Sequence, residues 1–186
     1  LDVVMPLGSD QWPQGMRERL SATLTPAGVL IPLIDHGDSD ISVLLTQRSA
    51  HLKTHAGQIS FPGGRIEPDD RDITATALRE TEEEVGIERE GIAVIGYLDP
   101  MPTITGYAVT PVVGLISAGY ELDIDTSEVE FAFEVPLEFL LEPGNRKRVR
   151  RDLHGSSVVM AEYHFEGKRI WGATAFILEN FLNKAR

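Results

Sequence analysis

Three glutamates at helical spacing constrain the fold of this chain more than any other feature of its sequence. Glu80, Glu83 and Glu84 lie at positions i, i+3 and i+4 within residues 72–85, where apolar side chains recur at steps of three and four. This pattern predicts a helix over residues 72–85 that presents the three carboxylates on one face. Because three like charges repel one another, the face requires either open solvent or a bound cation.

The sequence also marks where this helix begins and ends. Asp70 or Asp72 can cap its N-terminus, and Gly86 suits its C-terminal end. A strand-sized run at residues 59–61 stops at the Pro-Gly-Gly of residues 62–64, where glycine allows the backbone to approach another group closely. A loop of this kind before an acidic helix favours a binding site over a solvated acidic stripe.

The remaining pattern predicts strands interspersed with a few helices. Residues 1–25 are interpreted as an N-terminal extension with a short helical patch at 16–20, and residues 47–58 as a polar loop. Strands are predicted at 27–34, 41–46, 59–61, 92–98, 108–116, 128–135, 148–153 and 158–165, and further helices at 137–141 and 174–184. This order predicts an α/β fold, an α/β/α sandwich around a mixed sheet, over residues 26–186.

Composition restricts the classes of function. The 186 residues carry 29 acidic and 17 basic side chains, a net charge of −12, and such a surface repels bare phosphate, so we expect no nucleic-acid partner. No apolar run is long enough to span a membrane, so no membrane partner is expected either. The absence of cysteine excludes disulfides, Cys-ligated zinc and thiol catalysis, and it fits a cytoplasmic enzyme.

The acidic helix and the loop before it resemble a known motif. Gly64, the pair Arg79-Glu80, the pair Glu83-Glu84 and the pair Gly86-Ile87 match the Nudix box, written G-x5-E-x7-R-E-U-x-E-E-x-G-U with U apolar. The chain departs from it twice. Asp70 stands for the first glutamate, with eight residues between it and Arg79, and Thr81 stands where an apolar residue is usual.

This resemblance implies a hydrolase that cuts a diphosphate bond with the help of Mg²⁺ or Mn²⁺, since clustered carboxylates are the hard oxygen ligands that these ions prefer. Glu80, Glu83 and Glu84 are then the expected metal ligands, with Glu80 acting either as a ligand or as the base that activates water. Glu80, Glu83 and Arg79 are the expected catalytic residues, and Arg79 orients the carboxylates. Metal ions would offset phosphate charge and lower the pKa of a bound water.

The resemblance implies further site residues around this helix. Gly63 and Gly64 would shape the loop under the diphosphate. A further acidic ligand often comes from outside the box, and Glu128 is the candidate because it opens a late strand. Asp70 is a candidate because it occupies the position of the first glutamate.

A second resemblance narrows the substrate. The pattern L-L-T-x-R-[SA]-x3-R-x3-G-x3-F-P-G-G of the coenzyme A pyrophosphatase subfamily is similar to residues 44–64, with Lys53 replacing the second arginine. Segments at 105–107, 109–114 and 170–174 also resemble that subfamily, although Trp171 by itself is predicted to pack in the core. Arg48 and Lys53 are then the expected substrate-binding cations, serving the phosphorylated adenosine end of coenzyme A.

The leading hypothesis is metal-dependent hydrolysis of coenzyme A or its derivatives, giving 3′,5′-ADP and 4′-phosphopantetheine or its acyl form. Two alternatives remain open. One is a Nudix hydrolase of ADP-ribose, dinucleotides or other nucleoside diphosphate derivatives; the other is a non-catalytic Nudix domain that binds a nucleotide. The expected partner is a nucleotide-derived small molecule, and a homodimer is left open as the assembly.

Overall fold

The structure, a computed structural model, describes residues 24–103, 105–153 and 156–185. Its strands are β1 (Thr25–Asp35), β2 (Ile41–Arg48), β3 (Ile59–Ser60), β4 (Gly63–Arg65), β5 (Ile92–Tyr97), β6 (Met101–Pro102), β7 (Tyr107–Ser117), β8 (Val129–Pro136), β9 (Arg146–Leu153), β10 (Ser156–Phe165) and β11 (Lys168–Ile170). Its helices are α1 (Ile73–Val85), α2 (Leu137–Leu141) and α3 (Gly172–Lys184), with short 3₁₀ turns at Arg89–Gly91 and Pro143–Asn145.

The strands form one large mixed sheet and one small antiparallel sheet. In the large sheet the order is β3-β2-β1-β7-β5, with β4 paired to β1, β6 to β7 and β8 to β2. β1 and β7 run parallel along their whole length, while the other pairs in this sheet are antiparallel. The small sheet has the order β11-β10-β9. The predicted mixed sheet is therefore confirmed.

Two hydrophobic cores lie on opposite faces of the large sheet. Leu30 and Leu44 point toward α1, while their chain neighbours Ile31 and Leu45 point toward α3 and the small sheet. This is why β1 and β2 are nearly continuous apolar runs, because strands that are buried on both faces have no solvent side to carry polar residues. Helices on both faces of the sheet give the α/β/α arrangement that the sequence predicts.

A glycine allows α1 to lie close to the large sheet. A Cβ atom added at Gly28 of β1 would lie 2.7 Å from the backbone oxygen of Ile73, at the start of the helix. Gly28 is paired with Gly64 of β4, the strand that precedes the helix in sequence. β1 and β4 therefore meet beneath the helix at two residues without side chains. The helix that carries the three glutamates is thereby held against the middle of the sheet.

Several predicted elements need correction. Residues 47 and 48 were predicted as loop, but they extend β2 because both pair with β8. β4, β6 and β11 are two or three residues long, too short for hydrophobic periodicity to reveal. Trp171, predicted to pack in the core, is 38% exposed with the guanidinium of Arg169 at 4.9 Å from its ring. The helical patch at 16–20 lies outside the described residues, and within them no helix is long and apolar enough to cross a membrane.

Candidate active site

The helix that carries the site is fixed at both ends. Its N-terminal cap is Asp72, whose carboxylate accepts a hydrogen bond of 2.8 Å from the backbone N–H of Ala75. At the other end Gly86 adopts a left-handed conformation, with φ of 75°, and donates its N–H to the carbonyl of Glu82 at 2.9 Å. The choice between Asp70 and Asp72 as cap is resolved in favour of Asp72, which leaves Asp70 for another contact.

The threonine at an apolar position of the box is accommodated without an unpaired polar group. Thr81 is fully buried, and its hydroxyl donates a hydrogen bond of 2.7 Å to the carbonyl of Ala77, one turn earlier. Its methyl group can then pack against the sheet as an aliphatic side chain would. This departure from the box therefore leaves the helix intact.

Arg79 is the centre of the site. Its guanidinium forms a two-pronged contact with Asp70, Nε to Oδ1 and Nη2 to Oδ2, both at 3.0 Å. Nη1 lies 3.0 Å from Oε1 of Glu80 and donates to Oε2 of Glu83 at 2.9 Å. Nη2 also reaches the carbonyl of Arg65 in β4, at 3.2 Å. One largely buried cation thus holds three carboxylates and joins the helix to β4 (Gly63–Arg65), the glycine strand.

Asp70 is itself firmly held, although it precedes the helix. Its Oδ2 accepts hydrogen bonds of 2.9 Å from the hydroxyl of Thr76 and from the backbone N–H of Glu67. The hydrogen bonds from Arg79 above all, together with the other two donors, keep the pKa of Asp70 well below its usual range. The extra residue between Asp70 and Arg79 lies before the helix and does not prevent this contact. Thr76 was not predicted as a site residue. Its position as a polar residue on the core-facing side of the helix could have indicated this role.

The glycine strand provides space for the carboxylate of Glu80. A Cβ atom at Gly64 would collide with this carboxylate, lying 2.7 Å from its Oε2. Gly63 has a φ of 153°, and a Cβ atom there would lie 2.6 Å from the Cα of Val29. Burial raises the pKa of Glu80, and the neighbouring Arg79 opposes this shift. Gly64 therefore lies against the acidic helix face, and Gly63 lies against β1.

Glu84 is the most deeply buried of the three glutamates. Its side chain is 3% exposed, and one carboxylate oxygen, Oε2, has no hydrogen-bond partner among the described residues. Burial raises its pKa to about 8, and the negative charges of Glu80 and Glu128 add to this effect. The main opposing charge is Arg48, whose Nη1 lies 3.6 Å from Oε1 of Glu84.

The structure brings Glu128 to the same site through backbone contacts. The carbonyl of Glu128 accepts a hydrogen bond of 2.8 Å from the N–H of Ser49, which follows Arg48. The N–H of Asp125 donates to the carbonyl of Glu84 at 3.1 Å, and that of Glu128 to the carbonyl of Asp125 at 3.0 Å. Glu128 is exposed, and its charge is felt by both Glu80 and Glu84. The turn that precedes β8 therefore adds the charge of Glu128 beside the three glutamates of the site.

The two predicted substrate-binding cations, Arg48 and Lys53, lie in different surroundings. Arg48 ends β2 and faces Glu84, with 22% of its side chain exposed. Lys53 is exposed in the loop after β2, and no ion pair of this residue occurs in the described part of the chain. Gly57 closes that loop on the strand by donating its N–H to the carbonyl of Arg48 at 3.0 Å.

The donor set fits a hard divalent cation. The helix carries the carboxylates of Glu80, Glu83 and Glu84, the charge of Glu128 acts on Glu80 and Glu84, and the buried Oε2 of Glu84 has no hydrogen-bond partner among the described residues. In the described ranges no three acidic or histidine side chains converge as a metal site, and Arg79 and Arg48 pair with these carboxylates. The chemistry of these oxygen donors therefore fits Mg²⁺ or Mn²⁺.

Comparison with known proteins agrees with this geometry. The NUDIX domain family matches residues 24–152, which include the glycine strand, the acidic helix and Glu128. This chain belongs to the Nudix family. Proteins named uncharacterized Nudix hydrolase NudL are 40% identical in Photorhabdus laumondii, over 91% of this chain and 89% of the relative, and 41% identical in Yersinia pestis, over 86% and 79%. The protein is therefore a Nudix hydrolase, a diphosphatase acting on nucleoside diphosphate derivatives.

Solved structures share the Nudix fold with the chain. A C. elegans Ap4A hydrolase in a binary complex superposes with a TM-score of 0.50 at 22% identity, covering 60% of this chain and 80% of that one. The Nudix hydrolase RenU from M. smegmatis superposes with a TM-score of 0.52 at 18% identity, covering 62% and 72%. At these identities the likeness concerns the fold.

Replacing Asp70 tests its role in holding Arg79. Asp70→Asn keeps the shape but removes the charge, and we expect the free energy of unfolding at pH 7 to fall by about 1.5–3 kcal/mol, the range for a hydrogen bond to a charged group. The pKa of Asp70 is lower in the folded chain, so its contribution is present above the unfolded pKa, near pH 4, and is lost as the pH falls further. Urea unfolding of both proteins from pH 7 to pH 2 should show the difference shrinking below about pH 4.

The control is Asp69→Asn, which changes an exposed neighbour in the same way. Equal stability of wild type and Asp70→Asn at pH 7, or equal losses in the two variants, would show that Asp70 does not hold Arg79.

Proposed function

We propose that this Nudix hydrolase cleaves the diphosphate bond of coenzyme A or its derivatives, giving 3′,5′-ADP and 4′-phosphopantetheine or its acyl form. The observation that supports it is the position of the segment that resembles the coenzyme A pyrophosphatase pattern. Residues 44–64 run along β2, pass Arg48 beside Glu84 and the exposed Lys53, and end at the glycines below Glu80. The segment thus forms one wall of the carboxylate site. It carries two cations, Arg48 directly before Ser49 and Lys53 four residues after it.

The proposed mechanism uses the glutamates as ligands of Mg²⁺ or Mn²⁺. Glu83, Glu84 and Glu128 would hold the metal, which would offset diphosphate charge and lower the pKa of a bound water. The chain supplies orientation, because Arg79 holds Glu80 and Glu83 within 3.0 Å of its Nη1. Since catalysis at phosphorus is mostly positioning and electrostatics, this preorganisation is the main contribution of the protein.

Glu80 is the proposed proton acceptor for the attacking water. Its carboxylate lies against Gly64, where the loop can approach the diphosphate, and burial raises its pKa. Glu84 is less suited to this role, since it is buried behind the helix face with 3% of its side chain exposed. Gly63 and Gly64 would shape the loop under the diphosphate, and the missing side chain of Gly64 leaves room for the carboxylate of Glu80.

A substrate panel tests the proposed function. Purified protein is incubated with Mg²⁺ or Mn²⁺ and coenzyme A, acetyl-coenzyme A, ADP-ribose, a diadenosine polyphosphate or a nucleoside triphosphate, and products are identified by mass spectrometry. We expect 3′,5′-ADP from the coenzyme A compounds at the highest kcat/KM, and no turnover after metal is stripped with EDTA. Higher kcat/KM on ADP-ribose or a dinucleotide would transfer the assignment to that substrate. Tight nucleotide binding without turnover would indicate a non-catalytic nucleotide-binding domain.

Removing the charge of Glu84 should impair catalysis without unfolding the chain. Glu84→Gln keeps the shape of the side chain, and we expect kcat to fall by at least about a hundredfold, as when one strong electrostatic contributor is lost. The matched control is Glu82→Gln on the same helix, where the carboxylate pairs with Arg89 away from the site. Steady-state kinetics at saturating metal distinguish them, and near-wild-type turnover of Glu84→Gln would exclude Glu84 as a metal ligand.

Lys53 is proposed to read the 3′-phosphate of coenzyme A, because it is the exposed cation of the segment. Lys53→Ala should lower kcat/KM for coenzyme A by about tenfold, the effect of one charge-assisted contact of about 1.5 kcal/mol. The effect should be much smaller on dephospho-coenzyme A, which lacks that phosphate. Lys147→Ala, an exposed cation on β9, controls for net charge. Equal losses on the two substrates would mean that Lys53 does not contact the 3′-phosphate.

A further inference from the structure

Arg48 has a different environment from the other cation of its segment. It is the last residue of β2, and its backbone is engaged on both sides, since its N–H donates to the carbonyl of Gln58 at 2.9 Å and its carbonyl accepts from Gly57 at 3.0 Å. The guanidinium is directed to the α1 side of the sheet, where Nη1 lies 3.6 Å from Oε1 of Glu84. The position of this cation is therefore set by the fold and not by a loop.

The pair formed by Arg48 and Glu84 is incomplete. Oε2 of Glu84 and Nε of Arg48 are both buried, and neither has a hydrogen-bond partner within the described residues. A guanidinium has five N–H donors, and the ion pair to Glu84 at 3.6 Å satisfies none of them at hydrogen-bond distance. A buried donor without an acceptor is unfavourable, so an anionic oxygen placed beside this guanidinium stabilises it.

Arg79 has no N–H donor free to bind a ligand. Its guanidinium is already saturated by Asp70, Glu80 and Glu83 and by the carbonyl of Arg65. Within the described ranges, Arg48 contacts a carboxylate of the helix and still has N–H donors that can bind a ligand.

We propose that Arg48 is a positioning and substrate-contacting residue at the scissile diphosphate, where one edge of its guanidinium holds Glu84 and the other binds a diphosphate oxygen. This inference rests on the proposed function, because it assumes a diphosphate over the acidic face. It separates the roles of the two cations, since both were expected from sequence to serve the phosphorylated adenosine end. Arg48 acts at the bond that is cut, and Lys53 acts farther along the substrate.

The test uses a ligand that contains only the diphosphate part of the substrate. Methylenediphosphonate, which cannot be hydrolysed, is titrated calorimetrically into the full chain at saturating Ca²⁺, so that cation loading does not limit binding. Arg48→Ala should bind this ligand about ten- to a hundredfold more weakly than wild type, the loss of one or two charge-assisted contacts. Lys147→Ala, which removes an exposed cation of β9, is the control, and its affinity should change less than about twofold.

Chemical rescue distinguishes a contact with the ligand from a purely structural role. Millimolar guanidinium chloride should restore part of the affinity of Arg48→Ala, because the ion can occupy the space of the missing side chain, whereas urea, of similar shape but uncharged, should not. Arg48→Lys keeps the charge and most of the stem, so it serves if the alanine variant does not fold. It too should bind the ligand more weakly, since an ammonium lacks the two edges needed to contact both anions.

The outcomes separate this inference from the function on which it rests. Wild-type affinity in a folded Arg48 variant, or equal recovery with urea and guanidinium, would overturn the role of Arg48 and leave diphosphate hydrolysis standing. A wild-type chain that does not bind methylenediphosphonate with metal would count against diphosphate hydrolysis itself, and the role of Arg48 would fall with it.

Discussion

The contact between Arg79 and Asp70 is the interaction on which the site depends. Without it, Asp70, Glu80 and Glu84 would be carboxylates largely removed from water, beside the exposed Glu83. The two-pronged contact fixes the guanidinium, and the fixed guanidinium then orients Glu80 and Glu83 on adjacent turns of the helix. A lysine could not do this, since a point charge has no planar fork to hold several carboxylates at defined angles.

The glycines around the helix have one shared effect. Because they lack a side chain, the helix and its carboxylates can lie close to the strands of the large sheet. Gly28 allows the start of the helix to lie against β1, and Gly64 allows the carboxylate of Glu80 to lie against β4. Because these contacts involve backbone on at least one side, they leave little freedom for the helix to shift. The electrostatic arrangement of the site is thus supported by close backbone packing.

Much of the fold and of the acidic helix was predictable, for reasons that are local. The period of the apolar positions, the cap at Asp72 and the glycine at 86 define α1, and the structure confirms them. What could not be predicted depends on residues far apart in sequence. The contact of Arg48 with Glu84 requires the end of β2 to face the helix, and the place of Glu128 depends on backbone pairing with Ser49. The exposure of Trp171 likewise depends on how β11 meets α3, which no local pattern encodes.

The parallel pairing of β1 with β7 has a consequence for how the chain reaches this state. Thr25 pairs with Tyr107 and Asp35 with Ser117, so the two strands enclose in sequence everything between them, including β2, the glycine strand and α1. Closing so long a loop costs entropy before the pairing returns any stabilisation, which makes such contacts slow to form. During synthesis on the ribosome, the acidic helix therefore emerges before the strand that completes the sheet beneath it. The contacts of Arg79 with Asp70, Glu80 and Glu83 are local and can form early, whereas Glu128, which precedes β8, joins these carboxylates only after β7 has left the exit tunnel.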